Sequence, residues 1–202
     1  MVPFDPAGLF EALGGRDKAL AALDGFFREP DGRWAVTKAG PLHAELDNEP
    51  SIAAPWLYNF AGAPWKTQGA VREAMRRIWT NTPSGISGND DLGEMSSWYV
   101  WSAMGIYPLY PGRADLVTGS PLFSEVRIDR AGAPIRIVAD GAASDAPYVR
   151  SLTVNGRATS RPWLDETFVR RGGELRFTLS STPDETWGAA KGDAPPSYTV
   201  SR

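Results

Sequence analysis

Asp90 and Asp91 stand side by side in the segment GNDDLG (88–93), just ahead of the aromatic run WYVW (98–101). A second oxygen-rich stretch, Asp47-Asn48-Glu49, precedes Pro50, with the amides of Asn59 and Gln68 downstream. Carboxylates of this kind can move protons in general acid–base chemistry or hold a hard cation such as calcium. Each stretch also has a plainer reading. An acidic pair before a helix complements the positive end of the helix dipole, and polar residues before a proline make an ordinary turn. The spacing does not fit an EF-hand loop.

The alternatives to carboxylate chemistry are few. The chain has no cysteine and one histidine, His43, so thiolate chemistry is excluded and a zinc site or a Ser-His-Asp triad would rest on a single side chain. His43 is read as a surface or packed residue. Charges are nearly balanced, 21 basic against 24 acidic, with no basic run to track a phosphate backbone, which argues against a nucleic-acid partner. No apolar run approaches the ~20 residues that span a bilayer, and the first residues lack the pattern of a signal peptide. Rings such as Trp56, Trp65, Trp98 and Tyr107, set among acids and amides, are the kind of surface on which proteins hold sugars. Trp98, Trp101 and Met104, at steps of three, could equally be buried between helices.

These residues need elements to position them. Asp5-Pro6 is a helix-start signal, and the apolar spacing of Leu9, Phe10 and Leu13 predicts a helix stopped by Gly14-Gly15. Helices are also expected over 17–28, 50–61, 67–79 and 94–104, the last closed by Gly105. Between the last two, 81–93 forms a long Gly, Ser and Asn-rich loop of the kind that carries function. After YPLYPG the pattern alternates, predicting strands over 122–128, 135–138, 149–154 and 175–179, with Asn155-Gly156 as a hairpin turn. The expected class is α+β: an N-terminal helical array, 1–112, followed by an antiparallel β-sandwich-like region, 113–202, with a loosely ordered tail.

Three ordered stretches resemble one family. NEPSIAAPWLYNFAGAPWKTQ, then GNDDLGEMSSWYVWSAMGIYPLYPG, then GSPLFSEVRI are similar to the C-terminal part of the family 92 glycoside hydrolases, which are α-mannosidases, and the similarity extends over nearly the whole chain. The resemblance implies an incomplete (α/α)₆ barrel followed by C-terminal strands. It implies a calcium-dependent, inverting exo-α-mannosidase acting on terminal α-mannosyl residues of mannans or N-glycans, secreted or carried at the cell surface. Asp91 then matches the general base, and Asp90 beside it is read as a second catalytic-site acid that holds position, caps the helix or lies behind the metal's ligands. Asn48 and Glu49 match the Asn-Glu-Pro associated with calcium and substrate, and Gln68 and Trp98 are further candidate substrate contacts. The chain departs from the family at Leu46-Asp47, where His-Gly is familiar, and at Asn89, where an acid is often found.

Neighbouring aspartates cannot form the whole catalytic pair. Their α-carbons lie about 3.8 Å apart, whereas inverting hydrolysis sets acid and base roughly 6.5–9.5 Å apart across the sugar. Asp90 and Asp91 therefore supply one pole. The family's proton donor is expected in a Glu-Gly-Asn segment preceding the equivalent of VPFDPAGL, so the sequence reads as a truncated enzyme, inactive alone, whose partner is the N-terminal part of the same protein. The competing expectations are a mannose-binding module with no catalysis, and a fragment that is nonfunctional or acts as half of a split assembly.

Overall fold

A computed structural model describes residues 4–36, 43–86 and 88–198. It begins with two short helices, α1 (Pro6–Ala12) and α2 (Arg16–Phe27). Asp5 caps α1 by accepting from the Gly8 N–H at 3.0 Å, as the Asp-Pro signal predicts. The segment expected as one helix over 50–61 is two pieces, α3 (Glu49–Ile52) and a 3₁₀ helix over Ala54–Asn59. Pro55 lies at the start of the second piece and has no N–H to continue an α-helical ladder. Two longer helices follow, α4 (Pro64–Ile78) and α5 (Glu94–Met104), and Gly105 ends α5 in the left-handed conformation at φ 76°.

Eight strands and one further helix make up the rest: β1 (Ile106–Tyr107), β2 (Leu116–Thr118), β3 (Glu125–Ile128), β4 (Ile135–Asp140), β5 (Tyr148–Val154), β6 (Arg157–Thr159), β7 (Trp163–Leu164), α6 (Glu166–Arg171) and β8 (Gly173–Ser180). A small sheet has the order β1-β2-β7, and a five-stranded sheet has the order β3-β4-β8-β5-β6. The fold is thus mixed α and β, with six α-helices, one 3₁₀ helix and two sheets among the described residues. The expectation of a purely antiparallel region needs correction, because β4 and β8 run parallel, with Ile137 opposite Leu175. The Asn155-Gly156 turn pairs β5 with β6 as expected. The chain then crosses through β7 and α6, so β8 enters between β4 and β5 with the direction of β4.

Among the described residues two large apolar cores result, with a small third cluster of Phe10, Ala19 and Ala61. Trp56, Tyr58, Phe27, Met95 and Trp98 fill the helical one, while Ile137, Leu152, Leu175, Phe177 and Trp187 fill the one beneath the larger sheet. The small sheet joins them: Val117 belongs to the helical core and its neighbour Leu116 to the other, as opposite faces of one strand require. This pairing of β1 with β2 crosses position 112. The described tail is not loose. Tyr198 donates its hydroxyl to Asp115 at 2.7 Å, Ser197 donates to Asp5 at 2.8 Å, and the Arg113 guanidinium lies over the Tyr198 ring.

Candidate active site

Two loops carry the acids, and a glycine lets them touch. Gly88 adopts φ +63°, and a Cβ at this position would fall 2.3 Å from the Asp47 carbonyl oxygen. Only a residue lacking a side chain permits that approach. Asn48 caps α3 by accepting from the Glu49 N–H at 3.0 Å, and α5 is tied to the end of α3 by the Trp98 Nε1–H donated to the Ile52 carbonyl at 2.9 Å. Glu49 and Asp91, 42 positions apart in sequence, are thereby brought together.

The course of the second loop is unusual. Asp91 and Leu92 have φ values of 47° and 60°, and Gly93 follows at 98°. A left-handed conformation costs an ordinary residue about 1–2 kcal/mol, so two in succession must be held from outside. Asp90 does this by side chain and backbone. Its Oδ1 accepts from the Ser96 N–H at 2.9 Å and the Ser96 hydroxyl at 2.8 Å, and its carbonyl accepts from Gly93 and Met95 N–H groups. Asp90 is half-buried, whereas Asp91 is exposed and Leu92 wholly so, at 109%.

The electrostatics are those of crowded acids. Loss of solvent raises the Asp91 carboxyl above its ordinary range, aided by a hydrogen bond to the Glu49 carboxyl and by the charges of Glu49 and Asp90. Glu94 is raised by the same loss of solvent and by Glu49 and Asp91. Tyr107 is raised mainly by burial and further by Glu94. Among the described residues, none of Glu49, Asp90, Asp91 and Glu94 forms an ion pair with a basic side chain. Glu94 and Ser96 join the site here. The sequence marks them only as the opening turn of a helix, because their role depends on what Asp90 and Glu49 do.

Gln68 and Trp98 lie elsewhere in character. Gln68 is 1% exposed, and its Oε1 accepts from the Val149 N–H at 3.0 Å, joining α4 to β5. Trp98 is also 1% exposed and stacks on Trp79 at 4.7 Å. Trp56 and Tyr58, in the same aromatic cluster, are fully buried. Several rings read as candidate sugar platforms are thus packing groups. His43 sits 3.5 Å from Glu29, the packed role expected of it.

Asn48 and Glu49 carry the hard oxygens that suit calcium, and a divalent cation would relieve the crowding of Glu49 against Asp91. Among the described residues, no three His, Cys, Asp or Glu side chains are gathered to hold a metal ion. Asn48 and Glu49 would by themselves supply only part of the roughly six to eight oxygens that calcium takes. No helix among the described residues is long and apolar enough to cross a membrane.

Comparison with known proteins gives one family. Residues 1–181 match the family described as the glycosyl hydrolase family 92 catalytic domain. An uncharacterized secreted glycosidase of Arthroderma benhamiae is 32% identical over 200 residues, covering 97% of this chain and 24% of the relative. Among solved structures, a family GH92 alpha-mannosidase of Bacteroides thetaiotaomicron superposes with a TM-score of 0.87 at 31% identity, over 98% of this chain and 26% of that one. A GH92 inverting mannosidase from the same organism gives 0.85 at 33% identity, over 97% and 28%. The chain spans about a quarter of the length of these relatives.

Proposed function

We propose, from the premise that the chain belongs to glycosyl hydrolase family 92, that it forms the water-activating part of an inverting exo-α-mannosidase. The observation that carries this reading is the exposed Asp91 carboxyl, thrown out of a left-handed loop and set against Glu49. Asp91 as carboxylate takes a proton from water, whose oxygen attacks the anomeric carbon from the face opposite the leaving group. A separate acid protonates the leaving oxygen.

Glu49 is too near to be that acid. Glu49 adjoins Asp91 closely enough to raise its carboxyl, and neighbours of that kind leave no room for the sugar and water that inverting hydrolysis sets between acid and base at roughly 6.5–9.5 Å. The same proximity bars Asp90, one residue away. The proton donor is therefore assigned to polypeptide other than this cluster, and the 202-residue chain by itself is expected to be inactive. General acid help of this kind is worth about 10²- to 10⁴-fold.

Asn48 and Glu49 would hold a calcium ion, with the remaining ligands coming from substrate hydroxyls, water or other parts of the enzyme. Calcium, when bound, supplies positive charge that orients sugar hydroxyls and offsets the acids around them. Gln68 and Trp98 are assigned to the framework: Gln68 fixes α4 on β5, and Trp98 fixes α5 on α3. The burial of Trp56, Tyr58 and Trp98 withdraws three of the rings that a mannose-binding module would use, while Trp65 and Tyr107 are half-buried. Export, as in the secreted relative, is part of this proposal.

The test is release of mannose from α-linked mannobiosides, by the chain alone and by the longer enzyme that contains it. Turnover is expected only from the longer protein, with Asp91→Asn lowering the rate at least a hundredfold while mannose still binds. Turnover by the 202-residue chain, or an Asp91→Asn enzyme of near-normal rate, would refute the assignment.

A further inference from the structure

We propose that Asp90 and Ser96 are positioning residues for Asp91, acting as a hydrogen-bonded clamp that holds the base-bearing loop in its left-handed course. The proposal rests on the reading of Asp91 as the base and goes beyond it, because it gives Asp90 a task that needs an acceptor and not a charge.

The geometry is specific. Asp90 Oδ1 takes two hydrogen bonds from one residue, the Ser96 N–H at 2.9 Å and the Ser96 Oγ–H at 2.8 Å. The Asp90 carbonyl takes two more, from Gly93 N–H at 3.1 Å and Met95 N–H at 3.2 Å, and the Asp91 carbonyl accepts from Glu94 at 3.3 Å. The four bonds to Asp90 close the loop over Asp91 and Leu92, which have positive φ without being glycine, and the bond to Asp91 closes it over Leu92. Cut the two side-chain bonds and only the longer backbone bonds from Gly93, Met95 and Glu94 are left to oppose the ordinary φ preference of an aspartate and a leucine. The loop would relax toward ordinary φ values and carry the Asp91 carboxyl away from Glu49. Ser96 lies in the first turn of α5, and the same helix is pinned by Trp98 to Ile52 and by Met95 in the core. The clamp therefore refers Asp91 to a rigid element.

An acceptor role separates Asp90 from Asp91. Asparagine at 90 keeps a carbonyl oxygen able to take both Ser96 bonds, while alanine keeps none. Threonine at 96 keeps the hydroxyl, and alanine keeps only the N–H.

The test has two arms. In the active enzyme containing this chain, Asp90→Ala is expected to lower kcat about 10- to 100-fold with KM unchanged within about twofold, as misplacement of a reacting group does. Ser96→Ala should lose several-fold, Ser96→Thr should recover most of that loss, and Asp90→Asn should stay within about fivefold of wild type. An Asp90→Asn enzyme as inactive as Asp91→Asn would overturn the proposal, because charge at 90 would then be what matters. A Ser96→Ala enzyme of undiminished rate would overturn it too.

The second arm uses amide hydrogen exchange on the 202-residue chain and needs no activity. Asp90→Ala should speed exchange of the residue 96 N–H at least tenfold, and Asp90→Asn should leave it nearly unchanged. Equal protection in wild type and Asp90→Ala would show that no clamp exists. If the clamp is seen by exchange while Asp91→Asn retains its rate, the base assignment fails and the loop's construction stands.

Discussion

Arg72 offers a test of how the helices are joined to the strands. It is 3% exposed on α4, and its guanidinium donates to the Ala143 carbonyl at 2.9 Å, to Ser120 Oγ at 3.0 Å and to the Pro121 carbonyl at 2.9 Å. These acceptors lie in the β4–β5 and β2–β3 connections. Burial, and then the charge of Arg76, lowers its pKa, and among the described residues it has no ion-pair partner. Arg72→Met keeps the apolar stem and removes the fork. Ser120 is buried, so its hydroxyl and the Pro121 carbonyl lose their donor where water has poor access, at about 1–3 kcal/mol for each unsatisfied group. The Ala143 carbonyl, on an exposed residue, can turn to water. Against this stands the relief of no longer desolvating a cation, worth several kcal/mol. Two such groups cost about 2–6 kcal/mol together and the relief offsets most of it, so the net expectation is a loss of about 1 kcal/mol, which at this size lowers Tm by roughly 2–4 °C. Thermal and urea unfolding followed by circular dichroism measure it. Arg72→Lys should not recover the loss, because one ammonium cannot span three acceptors. A variant as stable as wild type would mean that burying the cation costs as much as its bonds return.

Two further perturbations follow from the same geometry. Gly88→Ala places a Cβ 2.3 Å from the Asp47 carbonyl oxygen at φ +63°, so the acid loops should separate and activity should fall about a hundredfold; retained activity would show that Glu49 and Asp91 need not meet. Burial raises the Tyr58 and Tyr107 hydroxyls above their ordinary pKa. Their contribution to stability is therefore full below about pH 10 and lost above it, as the unfolded chain ionises first, by up to about 1.4 kcal/mol per pH unit for each. Urea midpoints measured between pH 9 and 11 should decline, and the decline should shrink in Tyr107→Phe.

What could be read from the chain alone was what local chemistry decides. Asp5-Pro6 and Gly105 mark helix ends through their own side chain or lack of one, and both hold. The strands β1, β2 and β7 are two or three residues long, too short for alternation to register, and they exist through pairing with distant partners. The parallel insertion of β8 beside β4 is likewise a consequence of tertiary packing, as either direction presents the same alternating face. At the site, the acids were visible by type, and their convergence was not, since it depends on a glycine at 88 approaching backbone at 47. Gln68 and Trp98 have the chemistry of sugar contacts, but both spend it on the framework. Burial, which no spacing reports, makes the difference.

Azide rescue tests the role of Asp91 most directly. In the active enzyme carrying Asp91→Ala, azide can take the place of water and needs no proton removed. The account predicts that azide restores cleavage of an activated α-mannoside and yields mannosyl azide of β configuration. An α-configured azide, or an Asp91→Ala enzyme whose rate is unchanged by both the substitution and azide, would contradict it.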